Sequence, residues 1–383
     1  MTQGKHMRAI YAFSGDPITY GHIDIAQRAA RTYSEVVVAI GENPQKVGDY
    51  LFTSDERLAL SQQCFDGRDN INCVRFTGLL AEYAYRNDFD CIVRGVRNNS
   101  DLEGEMVQFA VNDSLHAGVD TVFYPTRPEL SHISSSVVKA IVAEGGDVSN
   151  YCPLHVKEAL ERRIRGTFTV GIAGGIAAGK TRVAQQLVEQ LQEKVTATYI
   201  SLDEVGHYVL SDSDGAIYRK TRERIAAEFG QQLVLDSGAI DRRALGQIVF
   251  ANPSALTQLN QIMREPMLAR LYEETQTSPR GIIVLEGAIL VEAQWTKLVN
   301  NNIILVDASE AVRLERLMNR SQIETDEARP KIERQVSSNE RRTMMEAHIA
   351  NDRWGRLWHL NTDDSKPDIA AVRDDILAIF EEG

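Results

Sequence analysis

The chain has 383 residues, 43% of them hydrophobic and 25% charged, an ordinary balance for globular protein and enough for two domains. Its net charge of −12 argues against a general binder of nucleic acid or anionic membranes, although local basic clusters can still hold anionic substrates. No apolar run approaches the ~20 residues that span a bilayer, the stretch Met1 to Met7 lacks the apolar region of a secretory signal, and Cys64, Cys73, Cys91 and Cys152 show no metal-binding spacing, so a cytoplasmic protein with reduced thiols is expected.

Taken in order, Arg8–Phe13 reads as a strand, and Ser14-Gly15-Asp16-Pro17 turns through Thr19-Tyr20-Gly21-His22 into a helix that buries Ile25, Ala26, Ala29 and Tyr33. Strand Val36–Ile40, helix Ser54–Phe65, strand Ile71–Phe76, helix Leu79–Arg86, strand Cys91–Val93, helix Asp101–His116 and strand Thr121–Tyr124 continue the pattern. Short β-branched runs alternating with helices imply a parallel α/β sheet with right-handed crossovers. Ligands of such a sheet sit beyond the carboxyl ends of its strands, where Ser14, Arg94 and Ser134 all fall.

From Arg8 to about Ile164 the sequence resembles bacterial phosphopantetheine adenylyltransferases. Thr19-Tyr20-Gly21-His22 is similar to their Thr-x-Gly-His signature, Arg94-Gly95-Val96-Arg97 to Arg-Gly-Leu-Arg, and Ile133-Ser134-Ser135-Ser136 to Ile-Ser-Ser-Ser. Glu42-Asn43-Pro44-x-Lys46 and Phe52-Thr53-x-x-Glu56-Arg57 match the segment after the second strand. The resemblance implies a Rossmann-like nucleotidyltransferase fold over residues 1–165 that transfers AMP from ATP to 4′-phosphopantetheine. A phosphate monoester is already a nucleophile, so positioning and stabilisation of developing charge are the main requirements. The resemblance implies that His22 donates to the α-phosphate, that Ser14 stands near the acceptor phosphate, and that Lys46 draws both phosphates together. It places Arg94, Ser134, Ser135 and Ser136 on the departing phosphates, Arg97 and Glu105 at the nucleotide, and Thr77 and Leu80 around the pantetheine arm. Ser134 is also a natural helix cap, a role compatible with the first, and either Arg97 or Glu105 could instead belong to a surface ion pair. The sequence departs from the family in Ser14-Gly15, where the glycine follows the hydroxyl residue instead of preceding it, in a longer loop after Lys46, in Gly104 at a tyrosine position and in Ala143 at a basic one.

Helix Pro153–Arg163 closes this part, and Arg165-Gly166-Thr167 leads without a flexible tether into strand Thr167–Ile172 and helix Thr181–Gln192. Between them lies a complete Gly-x-x-x-x-Gly-Lys-Thr phosphate loop, Gly174-Gly175-Ile176-Ala177-Ala178-Gly179-Lys180-Thr181. Its glycines let backbone N–H groups close around a triphosphate, Lys180 reaches the outer phosphates, and the Thr181 hydroxyl suits Mg²⁺ arriving with ATP. No permanently bound cofactor is expected.

Residues 166–383 resemble dephospho-coenzyme A kinases through this loop, Ile200-Ser201-Leu202-Asp203, Gly238-Ala239-Ile240-Asp241-Arg242-Arg243-Ala244-Leu245, and Arg313 to Arg320 with Gln335 beyond. That resemblance implies a P-loop NTPase fold like that of nucleoside-monophosphate kinases, with a lid. A neutral ribose hydroxyl must shed a proton as it attacks, so the kinase needs a base, for which Asp203 at the end of the second strand is the candidate, or else an N-cap. Arg316 and Arg320 would neutralise charge when the lid closes, or else form a solvated helix face; Arg242 would grip the acceptor's phosphates, and Asn361 would stand on the adenine side. Departures include Ala177 and Ala178 for Gly and Ser, Glu265-Pro266 for His-Pro, and Glu286-Gly287-Ala288-Ile289-Leu290-Val291-Glu292 for Asp-x-Pro-Leu-Leu-x-Glu.

Together the resemblances imply consecutive steps, because dephospho-coenzyme A is the product of the first and the substrate of the second, with coenzyme A as the final product. Two rivals stand beside this reading. One is a nucleotidyltransferase and kinase fusion acting on another mononucleotide, and the other is an active adenylyltransferase carrying a degenerate or regulatory ATP-binding domain. The first resemblance also implies homo-oligomers through the N-terminal domain.

Overall fold

The computed structural model describes residues 6–42, 48–115, 119–364 and 368–381. Two compact units emerge, one running to Ala143 and including Asp147–Ile164, the other comprising Glu144–Gly146 and the chain from Arg165.

The first unit runs through β1 (Arg8–Phe13), α1 (Tyr20–Ala29), β2 (Glu35–Ile40), α2 (Ser54–Phe65), β3 (Ile71–Arg75), α3 (Leu80–Arg86), β4 (Cys91–Val96), α4 (Asn99–Leu115), β5 (Asp120–Pro125), α5 (Ser135–Ala143) and α6 (Leu154–Leu160). Its strands form one parallel sheet in the order β3-β2-β1-β4-β5. Central β1 buries Ala9, Ile10, Tyr11 and Ala12, as a strand covered on both faces must. The chain winds outward from β1 to β3 and returns to β4 on the other side of β1, and this reversal opens a crevice beyond the strand ends. Strand β4 outruns the expected Cys91–Val93 because its pairing with β5 continues through Arg94↔Phe123 to Val96↔Pro125. Arg94 is thus oriented by the sheet and not by a loop.

The second unit runs through β6 (Thr167–Gly174), α7 (Lys180–Gln192), β7 (Ala197–Ser201), α8 (Leu202–Leu210), α9 (Ala216–Phe229), α10 (Arg242–Ala251), α11 (Pro253–Thr277), β8 (Gly281–Glu286), β9 (Asn302–Asp307), α12 (Glu310–Ser321), α13 (Thr325–Glu333), α14 (Ser338–Asp352), β10 (Arg356–Asn361) and α15 (Ala370–Glu381). Its parallel sheet has the order β10-β9-β6-β8-β7, again with the first strand at the centre. One face is covered by α8 to α11 and the other by α7 and α15, and wholly buried side chains such as Phe168 and Ile172 each contribute roughly 1.5–3 kcal/mol of transfer free energy. Leu317, Ala328 and Ile332 form a small separate core between α12 and α13. This is the P-loop architecture with a helical lid. Among the described residues no helix is long and apolar enough to cross a membrane.

Candidate active sites

The first site lies beyond β1 and β4, in a cavity of about 530 Å³. The turn after β1 needs a left-handed residue, which Gly15 provides at φ +63; a Cβ there would come 3.1 Å from Ile40 Cδ1. This accounts for the glycine following Ser14. Two buried charges brace the turn. Arg57, 1% exposed, donates from Nη1 to the Ser14 and Gly41 carbonyls at 2.5 and 2.9 Å. The Asp16 carboxylate accepts from the Leu51 and Phe52 N–H groups at 3.1 and 3.0 Å and from Lys139 Nζ at 2.7 Å. Neither Asp16, Arg57 nor Lys139 is singled out as a site residue by the sequence, although Asp16 and Arg57 sit inside its motifs.

Thr19 caps α1, and its N–H donates to His22 Nδ1 at 3.1 Å, with its hydroxyl 2.9 Å from the same nitrogen. Because Nδ1 accepts a backbone N–H, the imidazole proton is placed on Nε2. Phe13 stacks on the ring with centroids 4.4 Å apart. Burial, helped by the Arg97 charge, lowers the His22 pKa to about 4, so the ring is a neutral donor at neutral pH.

Arg94 donates from Nη1 to the Ala12 carbonyl at 2.9 Å and forks onto Glu105 of α4 at 2.5 and 2.6 Å. Arg97 forks likewise onto Asp101 at 2.7 and 3.1 Å. Ser134 Oγ accepts the Val137 N–H at 3.2 Å, and Ser135 Oγ donates to the Pro17 carbonyl at 2.8 Å. Ser134, Ser135 and Ser136 therefore present the N-terminus of α5 to the cavity, alongside Ser14, His22, Arg94, Arg97 and Glu105. Thr77 and Leu80 are absent from its lining: Thr77 follows edge strand β3, and Leu80 opens α3 and packs towards the Ile10 and Val37 side of the sheet. Lys46 lies outside the described residues.

The second site surrounds Gly174–Thr181. Gly174, at φ +157, pairs with Val306 of β9, whose carbonyl oxygen would lie 2.2 Å from any Cβ. Gly179, at φ +94, opens α7. Ala177 adopts φ +59, the left-handed region that disfavours an L side chain. The Ala178 carbonyl accepts the Thr362 hydroxyl at 2.6 Å, and Lys180 Nζ donates to the Gly175 carbonyl at 3.1 Å. Burial lowers the Lys180 pKa, opposed by the charges of Glu286 and Asp203.

Glu286, 5% exposed, is the main residue hidden from sequence reading. It ends β8, beside β6, and its carboxylate accepts the Thr181 hydroxyl at 3.2 Å and the Tyr199 hydroxyl at 2.5 Å. A threonine hydroxyl and a buried carboxylate at the phosphate loop are the hard-oxygen donors that suit Mg²⁺. Among the described residues no group of three or more His, Cys, Asp or Glu side chains is arranged to hold a metal.

Asp203 is not the cap of α8. Ser201 holds that position, accepting the Glu204 N–H at 3.4 Å, so the Asp203 carboxylate is available one turn before His207. Arg242, at the start of α10, donates to His207 Nε2. Burial, together with the Arg242 charge, lowers the His207 pKa. Arg316 is tied to Thr362, with Nη1 donating to its hydroxyl at 3.0 Å and Nη2 to its carbonyl. Arg320 lies in the last turn of α12, and its charge, like that of Arg341, reaches Lys180. Arg341, buried against Glu292 at 2.5 Å, is a further cation that the sequence did not single out. Asn361 closes a turn, donating to Asp363 at 3.2 Å and accepting its N–H at 2.7 Å.

Comparison with known proteins matches residues 168–354 to the dephospho-CoA kinase family and residues 14–141 to the cytidylyltransferase-like family. A phosphopantetheine adenylyltransferase of Gloeobacter violaceus is 43% identical over 160 residues, which cover 42% of this chain and 98% of that protein. One from Limosilactobacillus reuteri is 35% identical over 156 residues, covering 41% of this chain and 89% of the relative. The crystal structure of TT1252 from Thermus thermophilus aligns over 56% of this chain and 97% of its own at 23% identity, with a TM-score of 0.41.

Proposed function

The chain belongs to the phosphopantetheine adenylyltransferase family over its first unit and to the dephospho-CoA kinase family over its second, and from that premise we propose how its residues carry out the last two steps of coenzyme A biosynthesis. The first unit transfers AMP from ATP to 4′-phosphopantetheine, giving dephospho-CoA and pyrophosphate. The second phosphorylates the ribose 3′-hydroxyl of dephospho-CoA with ATP, giving CoA and ADP. One observation carries this assignment: nearly a whole adenylyltransferase is accounted for by residues that precede a kinase match, and the product of the first is the substrate of the second.

In the first reaction a phosphate oxygen of phosphopantetheine attacks the α-phosphorus, and the bond to the bridging oxygen of pyrophosphate breaks. His22 Nε2–H donates to a non-bridging α-oxygen as charge builds there, while Thr19 and Phe13 hold the ring in place. Ser14 and Lys46 bind the acceptor phosphate, Thr77 and Leu80 flank the pantetheine arm, and Arg94, Arg97 and the α5 N-terminus at Ser134 to Ser136 take the leaving phosphates. Glu105 keeps the Arg94 fork aimed at the cavity.

In the second reaction Asp203 accepts the 3′-hydroxyl proton as that oxygen attacks the γ-phosphorus and ADP departs. Lys180 and the amides of Gly174 to Thr181 hold the nucleotide, Arg316 and Arg320 neutralise charge on the transferred group, Arg242 holds the acceptor, and Asn361 stands by the adenine. Thr181 and Glu286 would hold the Mg²⁺ that accompanies ATP and neutralises its phosphates.

The adenylyltransferase occupies residues 1–165 and the kinase 166–383, in a cytoplasmic protein without nucleic-acid or membrane partners. Self-association through the first unit is supported by α4, whose 17 residues include no buried side chain while Met106, Val107, Val111 and Leu115 are exposed. The test is a pair of partial rates, pyrophosphate release from ATP with 4′-phosphopantetheine and ADP release with dephospho-CoA. Turnover with nicotinamide mononucleotide in place of 4′-phosphopantetheine would redirect the acceptor assignment, and ATP binding without phosphoryl transfer to dephospho-CoA would make the second unit a regulatory module.

A further inference from the structure

The third residue of the phosphate loop, Ile176, is held from outside the loop. Its N–H donates to Gln335 Oε1 at 2.7 Å, and its carbonyl accepts from Arg313 Nε at 3.0 Å. Arg313, 8% exposed, also reaches Gln335 Oε1 at 3.4 Å and lies against Gly175, where a Cβ would come 2.5 Å from Nη2. Arg313 is on α12 and Gln335 falls between α13 and α14, so the two braces come from opposite stems of the lid. The side chains of Ile176 and Ala177 pack against Leu317, Ala328 and Ile332, the small core between α12 and α13. Ala177 sits at φ +59, a left-handed conformation unfavourable for an L residue that persists only where the surroundings over-determine it.

We propose that Gln335 and Arg313 are positioning residues that seat the Ile176–Ala177 corner of the phosphate loop in the lid's own core, so that the nucleotide-ready loop and an ordered lid form together. Gln335 orients the Ile176 N–H, Arg313 orients its carbonyl, and the apolar corner plugs the lid. Where the kinase family has glycine, this chain has Ala177, and the brace from both stems holds the conformation that glycine would adopt unaided. The inference rests on the kinase reading of the second unit for its meaning in catalysis, though the coupling itself is physical.

Two substitutions of the whole protein test it. Gln335→Met keeps the length but removes the acceptor, whereas Gln335→Glu keeps an acceptor oxygen and a partner for Arg313. With Gln335→Met, the ADP dissociation constant should rise about tenfold, the KM for ATP should rise more than kcat falls, and amide exchange should quicken both in peptides covering 174–181 and in those covering 314–332. Gln335→Glu should restore protection of both. In an Ala177→Gly background, where the loop no longer depends on outside support, the Gln335→Met effect on ADP should shrink to about threefold or less. Faster exchange in the loop with an unaltered lid would overturn the coupling, as would an equal loss in both backgrounds. Should the wild-type protein bind ADP and protect both peptides yet transfer no phosphate to dephospho-CoA, the kinase reading fails and the coupling stands.

Discussion

Both candidate sites lie beyond the central strand of a five-stranded parallel sheet, yet they offer opposite means of holding phosphate. In the first, the turn after β1 is braced by Arg57 and Asp16, and charge comes from side chains: Arg94 and Arg97 reach the cavity while paired to Glu105 and Asp101 of α4. In the second, the turn after β6 is itself the cradle, closed by backbone and served by Lys180, with Glu286 on Thr181. The contrast follows the chemistry of the acceptors. An ionised phosphate needs no base, and the first cavity holds a neutral imidazole; a ribose hydroxyl needs one, and a carboxylate stands at the start of α8.

Changes at either site should disable one reaction and spare the other. The largest effect is expected for Asp203→Asn, which should lower kcat of the kinase step by about 10²–10⁴ while pyrophosphate release persists. Losing both steps together would contradict separate sites. His22→Ala should cost the first step about 10²–10³, read as pyrophosphate release, with ADP formation from supplied dephospho-CoA retained.

A smaller effect concerns pH. With the folded His22 pKa near 4 and that of an unfolded histidine near 6.5, the unfolded chain binds the proton first. The contribution from His22 is therefore fully present above pH 6.5 and is lost as the pH falls through 4. Thermal melts of the ligand-free protein over that window should decline less steeply for His22→Gln, and parallel declines would refute the buried neutral ring. Smallest of all, Gly104→Ala, in open space on α4, should stabilise the first unit by roughly 0.5–1 kcal/mol. Ala177→Gly should relieve the left-handed backbone of the loop, with a net gain in the melting of the second unit below about 1 kcal/mol once the entropy of glycine is subtracted.

The alternation of strands and helices was legible because strands buried on both faces are written as short apolar runs, and the motifs at their carboxyl ends announced Ser14, His22, Arg94 and the phosphate loop. Strand order was not legible, and the missed residues depend on it. Glu286 reads as a departure from a family pattern until β8 is seen beside β6, which places its carboxylate on Thr181. Lys139 meets Asp16 only because α5 returns to the end of β1. Thr77, which follows edge strand β3, lies outside the lining of that cavity, so its place beside the pantetheine arm rests on the resemblance alone.

In one reaction, the purified chain is given 4′-phosphopantetheine with Mg²⁺ and ATP, and its products are identified by mass. Pyrophosphate, ADP and coenzyme A should appear, with dephospho-CoA rising and then falling as an intermediate. Dephospho-CoA accumulating without ADP or coenzyme A would contradict a working kinase beside the adenylyltransferase.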